Sequence, residues 1–180
     1  TNLVATARRS PAKIATVRIS RVSTFRGDGL KEIVQWLGEK GCTLTQLGLD
    51  GVAAVGDSGL ARLVIAPGVR KLSVLELSGC RIGQTMNGGA GLAHGASESS
   101  SLLWSSHPIP RLLNRNRTLT TLNLRWNSLN ARAAKSIAAA LHGLTSLDLS
   151  HNRVGEGACS LALALHSGRR SRVFLRSLHL

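Results

Sequence analysis

"LTSLDLSHNRVGEGACSLALAL", residues 144–165, decides the fold. Leu147 and Leu149 alternate with polar neighbours, the period of a half-buried strand. Asn152 then opens a polar turn. An alanine-leucine stretch follows with the spacing of an amphipathic helix. A strand, a turn and a helix in so short a run form one supersecondary unit that cannot bury its own apolar face. Such units occur in arrays, because stacked neighbours cover each other.

The array is visible in the rest of the chain. Leu144, Leu147, Leu149, Asn152 and Val154 give L-x-x-L-x-L-x-x-N-x-V. The preceding copy holds Leu119, Leu122, Leu124, Asn127 and Leu129. Before it stand Leu72, Leu75, Leu77, Cys80 and Ile82. A weaker copy has Leu44, Leu47, Leu49 and Val52, and a faint one Ile14, Val17, Ile19 and Val22. Leu175, Leu178 and Leu180 begin a last copy. The start-to-start spacings are 30, 28, 47, 25 and 31. Between copies, Leu30, Ile33, Val34 and Leu37 fall on one helical face.

This pattern resembles the leucine-rich repeat family, whose L-x-x-L-x-L-x-x-N/C-x-L signature is specific. The stretches "VGEGACSLALAL" and "VGDSGLARLV" are similar to the long-repeat subclass typified by ribonuclease inhibitor. The resemblance implies an α/β solenoid, a horseshoe with a parallel sheet on the concave side and helices on the convex side. It implies that Cys80, Asn127 and Asn152 bond to backbone inside their turns. Val52 and Val22 depart from the pattern, so the N-terminal turns are expected to be less regular. It also implies a non-catalytic binding scaffold.

One domain over residues 1–180 is expected, of about five to six repeats and incomplete at its C-terminus. Arrays need caps, and Leu180 stops within a strand, so either the natural chain continues or a partner covers this edge. The spacing of 47 implies an insertion in the third repeat. It is placed at 88–110, where Ser and Gly crowd and two prolines close the stretch. No run of about 18 apolar residues exists, so no transmembrane helix is expected. The acid-poor, arginine-containing start has the composition of a mitochondrial transit segment. Repeat spacing within it reads instead as a basic first repeat. The three cysteines, Cys42, Cys80 and Cys159, form no disulfide framework and no metal motif. An intracellular protein, cytoplasmic or mitochondrial, is the expectation.

Charge is the strongest functional clue. The chain carries 23 Lys+Arg against 9 Asp+Glu, a net +14. The outward strand positions hold Arg18 and Arg125 against Asp50, Glu76 and Asp148, so the excess lies elsewhere. It is densest at Arg111, Arg115 and Arg117, and again at Arg169, Arg170, Arg172 and Arg176. Both clusters precede a strand, so stacking should bring them to one edge. An arginine ridge suits phosphates or an acidic protein surface. Trp104 in the insertion and Trp126 beside Asn127 are candidate exposed anchors.

Catalytic motifs are set aside. "GVAAVGDS" has phosphate-loop glycines but Asp57 where a lysine is needed, and a carboxylate there repels phosphate. The six histidines show no ligand spacing. The sequon at Asn116 sits in a repeat corner and is expected to stay unmodified. No enzyme activity, no cofactor, no metal and no small-molecule substrate are expected. The sequence supports a protein-interaction scaffold, a structural subunit of a larger assembly that meets an acidic partner through its basic edge. The alternative is an RNA-contacting subunit of a ribonucleoprotein such as a mitochondrial ribosome. A GTPase-activating regulator fits less well, because those members are typically acidic.

Overall fold

The computed structural model describes residues 14–20, 27–39, 42–84, 107–167 and 175–180. Each L-x-L segment forms a three-residue strand: β1 (Thr16–Arg18), β2 (Gln46–Gly48), β3 (Val74–Glu76), β4 (Thr121–Asn123), β5 (Ser146–Asp148) and β6 (Ser177–His179). The strands pair in parallel, in sequence order, as one six-stranded sheet. Parallel neighbours require a crossover. It is supplied by α1 (Gly27–Gly38), α2 (Gly56–Ile65) with a following 3-10 helix (Pro67–Lys71), α3 (Pro108–Arg115), α4 (Ala131–Ala140) and α5 (Gly157–Ser167).

The register follows the repeat. Leu47 pairs with Leu75, Leu75 with Leu122, Leu122 with Leu147, and Leu147 with Leu178. The repeat leucines from Leu44 to Leu149 are all buried. Each such side chain contributes about 2 kcal/mol by leaving water. At the last strand Leu178 is only partly buried, and Leu180 is 54% exposed. The shortest repeat, between β4 and β5, returns through the alanine-rich α4. A Cβ at Gly157 would overlap the Ala131 carbonyl oxygen and the Ala134 methyl, so α5 lies directly against α4. Small residues on both helices allow that approach.

In three turns a buried or part-buried side chain ties the turn to the repeat before it. Asn127 Nδ2 donates to the carbonyls of Leu77 (2.8 Å) and Leu124 (2.9 Å), while its Oδ1 accepts from the Ile82 N–H (2.9 Å). Asn152 repeats the arrangement with Leu124, Leu149 and the Leu129 N–H. The Cys80 thiol reaches the Leu49 carbonyl (2.8 Å). One level earlier the Val52 side chain is buried and cannot donate. Its turn closes by backbone alone, Val52 N–H to the Leu49 carbonyl (3.2 Å).

A second ladder runs along the N-terminal ends of the strands. The hydroxyls of Thr45, Ser73, Thr120 and Thr145 donate to the carbonyls of Ala15, Thr45, Ser73 and Thr120 respectively. Asn116 is buried beside it. Its Nδ2 donates to the Val69 and Leu72 carbonyls and its Oδ1 accepts from the Thr118 and Leu119 N–H groups. The sequon nitrogen is therefore committed to the core.

The insertion has a clasp at its base. Asp57, in the first turn of α2, accepts from the Gly83 N–H (2.6 Å) and lies 3.1 Å from His107 Nε2. His107 Nδ1 accepts from the Ile109 N–H and so caps α3. That bond puts the ring proton on Nε2, facing the carboxylate. The helix begins at Pro108, inside the 88–110 stretch expected to be a loop. Proline is suited to the first helical turn, where its missing N–H is no loss. Residues 88–106 of that stretch lie outside the described residues.

Burial pushes the Cys80 thiol up to about 12, with Asp50 acting in the same sense and backbone groups of Val52 and Gly51 against it. The unfolded chain ionises this thiol near 9 and the folded chain does not. Stability from this group is therefore complete below pH 9 and declines as pH rises toward 12. A Cys80→Ala variant should lack that part of the alkaline loss, as denaturant titrations between pH 8 and pH 11 would show. Asn127→Ala leaves several buried backbone groups unpaired and should cost about 3 kcal/mol, against about 1 kcal/mol for the more accessible Asn152→Ala. Chemical denaturation of both variants measures the difference.

Candidate functional site

The sheet face and the two ends of the strands carry different chemistry. At the N-terminal ends, the helix-to-strand corners before β3, β4 and β6 present cations, whereas the corner before β5 has neither Lys nor Arg. Arg111 and Arg115 lie one turn apart on α3, and Arg117 follows; all three are exposed. Arg176, just before β6, is exposed too. Arg169, Arg170 and Arg172 lie outside the described residues, as does Trp104. The structure adds Arg70 and Lys71 at the corner before β3, both exposed. Lys71 Nζ donates to the Cys42 carbonyl (3.1 Å). The corners at 67–71, 115–120, 141–145 and 175–176 contain no acidic residue, whereas Glu39 stands at the corner before β2. The clue to Arg70 was present in the repeat alignment, since it stands two residues before its first leucine, Leu72, as Arg117 does before Leu119, and Lys71 follows it.

Trp126 is not near these arginines. It lies past the C-terminal end of β4, 58% exposed, on the rim of an open groove of about 760 Å³. Arg18, Asp50, Glu76 and Arg125 supply the groove's charges. Arg18 Nη2 meets Glu76 Oε1 at 3.2 Å. The residue between them in the sheet is Gly48, and a Cβ there would crowd both side chains. This exposed pair contributes little to stability, because water screens it. It does fix two groove walls and neutralises both charges.

The rim follows a rule. Two residues after the last leucine of each unit, the backbone enters the left-handed region. Gly51 (φ 72) and Gly79 (φ 65) hold that position in the second and third repeats, Trp126 (φ 55) and His151 (φ 58) in the fourth and fifth. The N–H groups of Gly51, Gly79 and Trp126 each donate to the next repeat, at Ser78, Arg125 and Ser150. Where the glycine is absent, a side chain braces the turn. Asn123 Oδ1 accepts from the Arg125 N–H (2.9 Å), and Asp148 Oδ1 from the Ser150 N–H (2.9 Å). Left-handed backbone costs a residue with a Cβ about 1–2 kcal/mol. In return the Trp126 and His151 rings stack, with centroids 3.8 Å apart and 5° between planes. Arg125 Nη2 lies 3.0 Å from His151 Nε2.

Among the described residues, no group of His, Cys, Asp and Glu is arranged to hold a metal ion. No helix there is long and apolar enough to cross a membrane.

The family model described as "Leucine Rich repeat" matches residues 115–138 and 141–160. No curated protein matches the chain in sequence. Among solved structures, one titled as the tropomodulin C-terminal domain of Caenorhabditis elegans superposes with a TM-score of 0.57 at 13% identity. The match covers 84% of this chain and 81% of that one, and shows a shared fold.

Trp126→Gly removes left-handed strain and also the ring stack, effects of similar size and opposite sign. The variant should stay within about 1 kcal/mol of the parent in chemical denaturation, whereas Trp126→Val, which keeps a branched Cβ and loses the stack, should fall by about 2 kcal/mol.

Proposed function

The chain belongs to the leucine-rich repeat family, and we propose that it works as a non-catalytic scaffold that binds an acidic protein surface along its arginine corners. Leucine-rich repeat domains commonly serve protein interaction. The observation that carries the finer reading is the set of exposed guanidinium groups at Arg111, Arg115, Arg117 and Arg176, with no acidic residue at the described corners before β3, β4, β5 and β6. None of the four forms an ion pair within the described residues. A row of like charges that the fold leaves unneutralised gains from a partner of opposite sign. Arginine forms bidentate pairs with carboxylates, which adds geometry to charge. The repeat spacings near 28 and the glycine-containing links between strand and helix support the ribonuclease-inhibitor-like subclass.

The competing reading is an RNA-contacting subunit, since the same guanidinium groups suit phosphate. It is favoured by the net charge of +14. It is disfavoured by the composition of the described corners before β3 to β6, which hold no Phe, Tyr or Trp for bases to stack on.

The test is to isolate the chain with its partner from its native source and treat the complex with nuclease. A protein complex should survive nuclease and be lost in the Arg115→Ala, Arg117→Ala, Arg176→Ala triple variant. Loss on nuclease treatment would replace the scaffold reading by the RNA reading. In that case affinity should fall about 100-fold between 50 and 200 mM salt for four phosphate contacts.

A further inference from the structure

The groove rim holds a slot that the basic edge does not explain. His151 covers one face of the Trp126 ring. On the other side the rim continues over Gly79 and Gly51, which have no side chains to cover the ring. The open face of Trp126 thus borders the groove directly, which is why so large a ring remains 58% exposed. Beside the slot, Asp50 Oδ1 accepts from the Ser78 N–H at 3.0 Å, which leans the carboxylate toward the third repeat. Its second oxygen has no partner among the described residues.

We propose that this slot binds one guanidinium side chain presented by a partner protein, stacked on the open face of Trp126 and hydrogen-bonded to Asp50. The spacing fits. Trp126 and Asp50 belong to repeats two apart, which places their strands about 9.6 Å from each other. A planar cation stacked on Trp126 at the distance His151 already adopts, 3.8 Å, sits over Gly79. About 6 Å then remain to the Asp50 strand, a span that one carboxylate and one guanidinium N–H fill. The indole face attracts a cation, and a guanidinium stacks flat where an ammonium cannot. One neighbouring cation opposes it, since the Arg125 guanidinium already lies over the Trp126 ring, 5.9 Å from its centroid, with Nη2 3.0 Å from His151 Nε2; Arg18 is engaged with Glu76. A nucleobase would find the same ring, but its phosphate would meet Asp50 and Glu76.

The site is separate from the arginine corners, so it stands whether or not the corners bind acidic protein. The test uses the full chain and the capped peptide acetyl-Gly-Arg-Gly-amide, with its lysine and citrulline counterparts, followed by the indole N–H resonance of Trp126 and by calorimetry. The arginine peptide should shift that resonance. Citrulline, planar but neutral, should bind at least about tenfold more weakly, and lysine should also bind more weakly. Trp126→Gly and Asp50→Asn should each weaken the arginine peptide by at least about tenfold. The glycine variant carries the residue that other repeats use here, so it retains the fold, and its melting temperature verifies that. The triple corner variant should bind the peptide within about twofold of the parent. Equal binding of arginine and citrulline peptides would overturn the proposal. So would binding untouched by both substitutions, or no binding at about 10 mM peptide, the limit for a single such contact.

Discussion

Buried and part-buried side chains that donate to the preceding repeat hold this coil in register. Cys80 bonds to Leu49, Asn127 to Leu77 and Asn152 to Leu124. Apolar burial alone would let one repeat slide against the next, since leucine packs on leucine without direction. A buried amide has no such tolerance, because each unpaired group is costly. The same bonds end each strand at a fixed residue. They thereby fix the left-handed position two residues after the last leucine. The rim on which Trp126 and His151 stand is a consequence of that constraint.

The Asp57 clasp confines the longest repeat in a similar way. One carboxylate gathers the Gly83 N–H, at the entrance of the insertion, and His107, at its exit. The step from β3 to β4 keeps its register although 47 residues separate Leu72 from Leu119. Both partners of the clasp are buried, and Asp57 also lies where the α2 dipole favours a negative charge. The aspartate that argued against a phosphate loop is thus a structural acid.

The leucines, the helices and the parallel order were legible because they recur with one period, and a period survives imperfect copies. The corner arginines were legible for the same reason. The clasp was not, because Asp57 and His107 are 50 residues apart with the insertion between them and neither belongs to a repeat pattern. The hydroxyl ladder was readable in principle: Thr45, Ser73, Thr120 and Thr145 all follow the first leucine of their units. The stack of Trp126 on His151 needed the same columnwise view. Taken singly, Trp126 looks like an exposed anchor and His151 like a turn residue. Set beside Gly51 and Gly79, they are the two repeats that fill a position left empty elsewhere.

That column separates two kinds of contact by distance from the charge. The corners carry most of the described excess, and their field reaches about one Debye length, roughly 8 Å at physiological salt. They are suited to capture and orientation, which depend on net charge and weaken with salt. The groove charges instead cancel at close range, Arg18 against Glu76, with Asp50 held by a backbone bond. A neutralised groove exerts little pull from afar and discriminates only on contact, by shape and by individual hydrogen bonds. Corners and groove lie at opposite ends of strands only three residues long. A single partner domain spans that distance easily, so under the proposed reading one surface would steer while the other selects.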